Sequence, residues 1–240
     1  MIHLYLLRHA ENRANITKEF SSRKVDYPLT AKGVLQAQQT AQFFLGKEIE
    51  AIYASPLKRA RQTAEIVAER LGLPVTVMEN FREVDVGELE DGPPSNEKWA
   101  FHNALIMEWM NGHPDRRFPG GEDYHDLWGR MRSGLQAILA SWAQGNVLVV
   151  AHGGIFSFTL FEYCPQVDRQ WLFQHDNPNC SISEVLLEEK AGKLHGQLVS
   201  WAEASQLSGE AAKQVSALPD EESFKKEWSN AHRANRGEGS

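Results

Sequence analysis

The sequence predicts an α/β fold with a mostly parallel sheet covered by helices, because apolar runs of strand length alternate with helix-period segments along most of its 240 residues. Two of those runs, LYLLRH at 4–9 and VLVVAH at 147–152, each close on a histidine. A strand that ends in polar residues delivers them to one edge of the sheet, which is where open α/β folds place their ligands. One such histidine is commonly a hydrogen-bonded structural residue. Two, from two strands, point to a shared pocket.

Strands are expected at about 2–8, 50–54, 75–78, 147–151 and 182–187, and helices at 31–45, 57–71, 122–143 and 154–163. The first strand is cut short by Arg8 and His9. At 53–67, YASPLKRARQTAEIV passes from strand to helix with Ser55 and Pro56 as a cap-then-proline start, which puts Arg59 in the first turn beside the same edge. The segment 93–118 interrupts the alternation. Its Trp99, Leu105, Ile106 and Trp109 fit a helical face packed on the body, and its position after Glu83 suits a lid. From there Arg116 or Arg117 could reach a substrate anion, although a solvated charge pair is the simpler expectation. His152 is followed by Gly153, Gly154 and a helix-like run, and LHGQLVSW at 194–201 adds an edge strand paired antiparallel through an Ala191-Gly192 turn. No internal repeat is present. The expected organisation is one domain over 1–202 and a charged C-terminal tail over 203–240, in which Pro219, Phe224 and Trp228 mark one short amphipathic helix.

Composition bounds the partners. A chain with 42% hydrophobic residues can bury one sizeable core. A formal net charge of −7 without a basic run argues against nucleic acid or an anionic membrane as partner, so a phosphate-sized pocket must be a local positive island suited to small anions. Cys164 and Cys180 make neither a disulfide framework nor a structural zinc site, and no run approaches the roughly 18 apolar residues of a spanning helix. The expected location is the cytoplasm. No His-Glu-x-x-His pair, two-metal acidic cluster or phosphate-cradling Gly-Lys-Ser/Thr loop occurs, so neither a metal nor another cofactor is expected. Self-association as a homodimer is compatible with the sequence.

Several segments carry a resemblance. Arg8, His9 and Asn15, the helix from Ser55 to Ala64, DYPLTAKGVLQAQ at 26–38, FREVDVGELED at 81–91, FPGGEDYHDLWGRM at 118–131, AHGGIF at 151–156 and NCSISEVLL at 179–187 occur in the order found in the histidine phosphatase superfamily, the group that includes phosphoglycerate mutases. The chain resembles that superfamily over about residues 2–190, more its phosphatase branch than its mutases. The resemblance implies a three-layer α/β/α sandwich and metal-independent phosphoryl transfer through a phosphohistidine, with a small phosphorylated metabolite as substrate. Ala10 stands where glycine is usual, a change that spares the pocket provided the backbone there does not need positive φ.

The residue types suit that chemistry. A phosphomonoester dianion repels anionic nucleophiles, so a neutral imidazole at His9 is a sensible attacker once an acceptor holds its other ring nitrogen. Arg8 and Arg59 offer forked donors to the equatorial oxygens; His152, the Gly153-Gly154 backbone at a helix start and the Asn15 amide would hold the same charge. The resemblance singles out Glu83 among nearby acids as proton donor to the leaving group. Mutase-type transfer is the enzymatic alternative. It is disfavoured because the Phe-x-Gly-Trp and Glu-Arg-x-Tyr-Gly stretches of the resembling mutases are replaced by Phe20-Ser21-Ser22-Arg23 and by Glu83 to Gly87, with Pro93 and Pro94 beyond. A non-catalytic phosphate-binding module is the alternative of another class, and it would not need nucleophile and acid together.

Overall fold

The computed structural model describes residues 1–215. Six strands form one sheet: β1 (Ile2–Arg8), β2 (Ile49–Ala54), β3 (Val75–Val77), β4 (Gly145–Ala151), β5 (Ile182–Lys190) and β6 (Lys193–Glu203), in the order β3-β2-β4-β1-β5-β6. The four strands from β3 to β1 are parallel, while β5 and β6 continue the sheet antiparallel. The β5–β6 hairpin turns on Ala191 and Gly192, both at positive φ, as the sequence predicts and as a two-residue hairpin requires.

The central strands are apolar throughout because both faces are covered. Leu4 and Leu6 of β1 and Val147 and Val149 of β4 face one core; Tyr5, Leu7, Leu148 and Val150 face the other. The first core is closed by α4 (Asn96–Met110), α5 (Tyr124–Ser141), α6 (Gly153–Tyr163) and α7 (Arg169–Gln174). The second is closed by α2 (Ala31–Phe44) and α3 (Lys58–Leu71), which completes the three layers. The helices that follow β1 and β4 therefore leave toward opposite faces. That divergence opens a crevice at the carboxyl ends of these two neighbouring strands.

Two features differ from the sequence reading. Two short helices, α1 (Arg13–Thr17) and α7, were not expected; each is too short for a periodic pattern and is marked only by a cap, Asn12 and Asp168. Ser55 does not cap α3. Leu57 occupies the cap position, and the Lys58 N–H donates instead to Asp26 Oδ1 at 2.8 Å. The start of α2 follows its motif: Thr30 Oγ1 accepts from Gly33 N, and a Cβ on Gly33 would lie 2.1 Å from the Glu11 carbonyl oxygen, so glycine lets the helix press against the loop after β1.

The expected boundary at 202/203 falls on the last residue of β6, and the chain beyond it packs back on the body. Leu207 and Ala211 are buried beside Ala37, Ala41 and Phe44, while Gln36 Nε2 donates to the Ala211 carbonyl and Gln206 Nε2 to that of Cys180. The helix expected around Phe224 and Trp228 lies outside the described residues. Leu207→Ala should lower the unfolding free energy by about 2–5 kcal/mol in a single transition. An unchanged urea midpoint would show that this segment lies outside the cooperative unit.

Candidate active site

The β1–β4 pairing sets Arg8 opposite Ala151, so the next residues, His9 and His152, stand side by side with ring centroids 5.2 Å apart. His9 is almost fully buried and held at both ring nitrogens. Nδ1 lies 2.8 Å from the Ala10 carbonyl, which can only accept, and Nε2 lies 3.0 Å from Arg59 Nε, which can only donate. The proton is therefore on Nδ1, and Nε2 presents its lone pair. Burial, Arg59 and Arg8 together push the His9 pKa well below its ordinary value, which keeps the ring neutral. Ala10 is not at positive φ, so the departure from glycine leaves this carbonyl free to set the tautomer.

Arg59 is also buried; its pKa falls to about 10, chiefly through burial, and it remains a cation at neutral pH. Its two Nη atoms donate to Ser21, to Oγ at 2.9 Å and to the carbonyl at 2.7 Å. Ser21 is steadied from the next residues, whose N–H groups at Ser22, Arg23 and Lys24 converge on the buried Glu90 carboxylate. Behind Arg59, Thr63 Oγ1 donates to the Arg59 carbonyl and accepts from Ala10 N, tying α3 to the nucleophile loop. Arg8 is buried and donates to the Asn177 carbonyl.

His152 is fully buried and does not line the cavity that His9, Arg8, Asn15, Arg59, Glu83 and Gly153 share, a space of about 240 Å³. Its Nε2 lies 2.7 Å from Ser55 Oγ, while Nδ1 is buried without a hydrogen-bond partner. Burial, then Arg59 and His9, hold its pKa well below the usual range. Asn15 Oδ1 accepts from Asn12 N and Asn179 Nδ2, which leaves its amide donors for a ligand. Asn12 Nδ2 and Asn177 Nδ2, both on the cavity wall, are buried without partners. The sequence reading gave neither of these, nor Ser55 or Ser21, a role at the site, because isolated amides and hydroxyls carry no pattern that singles them out.

Glu83 lies differently from the expectation for the Gly153-Gly154 turn. Its carboxylate, not a vacant anion site, meets the start of α6: Oε2 accepts from Gly154 N at 3.0 Å and Oε1 from Ile155 N at 2.9 Å and from Val84 N at 2.9 Å. A Cβ on Gly154 would sit 2.7 Å from Glu83 Oε1, and one on Gly153 would sit 3.3 Å from Arg8 Nε, so the paired glycines make room for an acid and a cation. The Glu83 loop is clamped from α5 by Arg130, which donates to the carbonyls of Asn80, Arg82 and Glu83 and to both oxygens of Glu122. Arg116 and Arg117 stay outside the cavity; Arg117 pairs with Asp123 and Asp126 on the surface. The 93–118 segment packs on the body through Leu105, Ile106, Trp109 and Met110 and turns Trp99 and His102 to the cavity.

The family profile described as the histidine phosphatase superfamily, branch 1, matches residues 4–200. The chain belongs to this superfamily. Members of the histidine phosphatase superfamily are phosphatases and mutases that act without metal ions, typically through a phosphohistidine. A provisionally named phosphoserine phosphatase 2 of Hydrogenobacter thermophilus is 35% identical over 198 residues, 81% of this chain and 94% of that protein. A provisionally named phosphoglycerate mutase, GpmB, of Yersinia enterocolitica is 32% identical over 210 residues, 84% and 93% of the two chains. In fold, the chain is similar to a mycobacterial glucosyl-3-phosphoglycerate phosphatase, with a TM-score of 0.71 at 24% identity, covering 84% of this chain and 98% of that one. Among the described residues no helix is long and apolar enough to cross a membrane.

Two buried histidines and one half-buried one give this histidine phosphatase a pH signature. His9 and His152 are lowered well below the ordinary value, and His102, enclosed by Phe20, Trp99 and Phe118, is lowered to about 4. The unfolded chain, with histidines near 6.5, then binds more protons than the folded one below that pH, so stability falls on acidification. Urea midpoints should drop as pH falls from about 6.5 toward 5, each histidine adding up to about 1.4 kcal/mol per pH unit. His102→Asn should remove about one proton from the dependence. Constant stability between pH 7 and 5 would contradict the burial of these rings as neutral groups.

Proposed function

We propose that this protein hydrolyses small phosphomonoesters, with His9 as nucleophile and Glu83 as proton donor and acceptor. The observation that carries the reading is His9 itself, a neutral imidazole locked in one tautomer with its Nε2 lone pair directed at the buried guanidinium of Arg59. As phosphate enters, the Arg59 Nε–H passes from Nε2 to a phosphate oxygen; the freed Nε2 attacks phosphorus as the P–O ester bond breaks, and the electron pair leaves on the alcohol oxygen, which takes a proton from Glu83. Water then attacks the phosphohistidine, the P–N pair returns to Nε2, and the water proton passes to Glu83. Arg8, Arg59, Asn15 and the N–H of Gly153 hold the equatorial oxygens, and His152, behind the cavity wall beside His9, joins them through its unpartnered Nδ1 once its ring turns to the wall. Glu83 Oε2 accepts one N–H bond and keeps a lone pair for the travelling proton, whereas Oε1 accepts two.

Hydrolysis is favoured over mutase transfer because a mutase must hold a second anionic group and exclude water. Among the described residues, the only lysine or arginine on the cavity wall beyond Arg8 and Arg59 is Lys18, whose Nζ donates to the Asn15 carbonyl. The relatives carry both kinds of name and do not decide between them. A cytoplasmic location is supported by two unpaired, buried cysteines, Cys164 and Cys180.

His9→Ala should abolish turnover of p-nitrophenyl phosphate, and rapid quench of the native protein should trap acid-labile, base-stable phosphate. Vanadate should inhibit and a strong chelator should not. Glu83→Gln should slow alkyl esters about 10²-fold or more while affecting p-nitrophenyl phosphate far less, because its leaving group needs no proton. Equal losses on both ester types would remove Glu83 from the proton-transfer role. With 3-phosphoglycerate and a trace of the 2,3-bisphosphate, rapid isomerisation without phosphate release from any monoester would favour the mutase.

A further inference from the structure

The cavity has two chemically distinct ends. Its inner end holds Arg8, His9, Arg59 and three side-chain amides. Away from these the lining is flat and apolar: Phe20 stacks on Trp99 at 4.2 Å, His102 meets Trp99 at 5.3 Å, and Phe158 stacks on Phe173 at 5.6 Å, with Leu172 on the same wall. These residues come from four separate elements, the loop after α1, α4, α6 and α7, so the apolar wall is not one helix face that happens to be exposed. One lysine stands beside this wall: the Lys18 carbonyl accepts from Trp99 Nε1, and its Nζ donates to the Asn15 carbonyl. His102 is a neutral ring, its Nδ1 3.0 Å from Asn103 Oδ1, and the His175 Nδ1 lies 2.7 Å from the Trp171 carbonyl. Glu19, bonded to Thr17 and Tyr27, and Asp176 add negative charge to the same rim.

Resting on the phosphatase reading above, we propose that the substrate is a phosphomonoester whose alcohol carries a compact apolar or aromatic body and no second anionic group. The phosphate enters the cationic end, and the body stacks between Phe20–Trp99 and Phe158–Phe173. A terminal carboxylate would be desolvated against these rings and repelled by Glu19, and the one lysine beside them already donates to the Asn15 carbonyl. A polyol would leave its hydroxyls short of partners there.

Four alkyl monoesters test this with leaving groups of similar basicity: 3-phenylpropyl phosphate, propyl phosphate, glycerol 3-phosphate and 3-phosphonooxypropanoate. Burial of the ring should raise kcat/KM for the phenylpropyl ester over the propyl ester by about 10- to 100-fold, and the carboxylate ester should fall below both. Trp99→Leu and, separately, Phe173→Leu should each reduce the phenylpropyl-to-propyl ratio severalfold, a ratio that a general loss of folded protein does not change. Equal constants for the propyl and phenylpropyl esters, or preference for the carboxylate or glycerol ester, overturns the inference while leaving hydrolysis intact. If no ester is hydrolysed, the phosphatase reading fails by itself, and calorimetry of the same esters with the His9→Ala protein still reads the wall. Tighter binding of the phenylpropyl ester sustains the inference there, and equal or weaker binding ends it.

Discussion

The parallel pairing of β1 with β4 is the contact on which the site depends. One register, Arg8 against Ala151, puts two histidines on adjacent strand ends and turns the helices after them to opposite faces of the sheet. A slip of one residue would exchange the two cores, sending Leu4 and Leu6 to the face of Tyr5 and Leu7, so the burial that stabilises the fold also holds the imidazoles in place. Arg59 is brought in by a third strand through the Ser55 N–H bond to the Val150 carbonyl. Precision at the site thus comes from the most buried part of the sheet, not from its loops.

Electrostatically the site is a compromise between burial and charge. Two guanidiniums and two imidazoles sit buried close together, and the protein keeps both imidazoles neutral instead of adding their charge to the arginines. The compensating carboxylates stay one layer away: Glu83 on the start of α6, Glu90 on the 22–24 backbone and Glu122 on Arg130. An incoming dianion meets cations that are already ordered by serine and backbone acceptors, so little reorganisation accompanies binding.

Much of the scaffold was legible because it rests on periodicity. The strands, the long helices and the β5–β6 turn follow from apolar runs, period-3.6 patterns and a glycine after Ala191. His9, His152 and Arg59 were legible for a related reason, since each stands at the end of such a run. What the sequence hid is contact across long separations. Asp26 caps α3 in place of Ser55, Glu83 takes the Gly154 N–H that the paired glycines seemed to offer a phosphate, together with that of Ile155, and the unpartnered amides of Asn12 and Asn177 reach the cavity from distant segments. The aromatic wall was half visible: Trp99 was read as packing on the body, whereas its partner Phe20 lies 79 positions earlier in the chain, and no local pattern joins them.

The segment after β6 has a practical meaning. Leu207 and Ala211 pack with the buried residues of α2, and Gln214 Nε2 donates to the carbonyl of Asn179, whose own Nδ2 holds the His9 carbonyl. A shortened chain that stopped at the end of β6 would strip apolar cover from α2 and remove a tie two bonds from the nucleophile. Fusion partners and purification tags therefore belong beyond residue 215, not at the edge of the sheet.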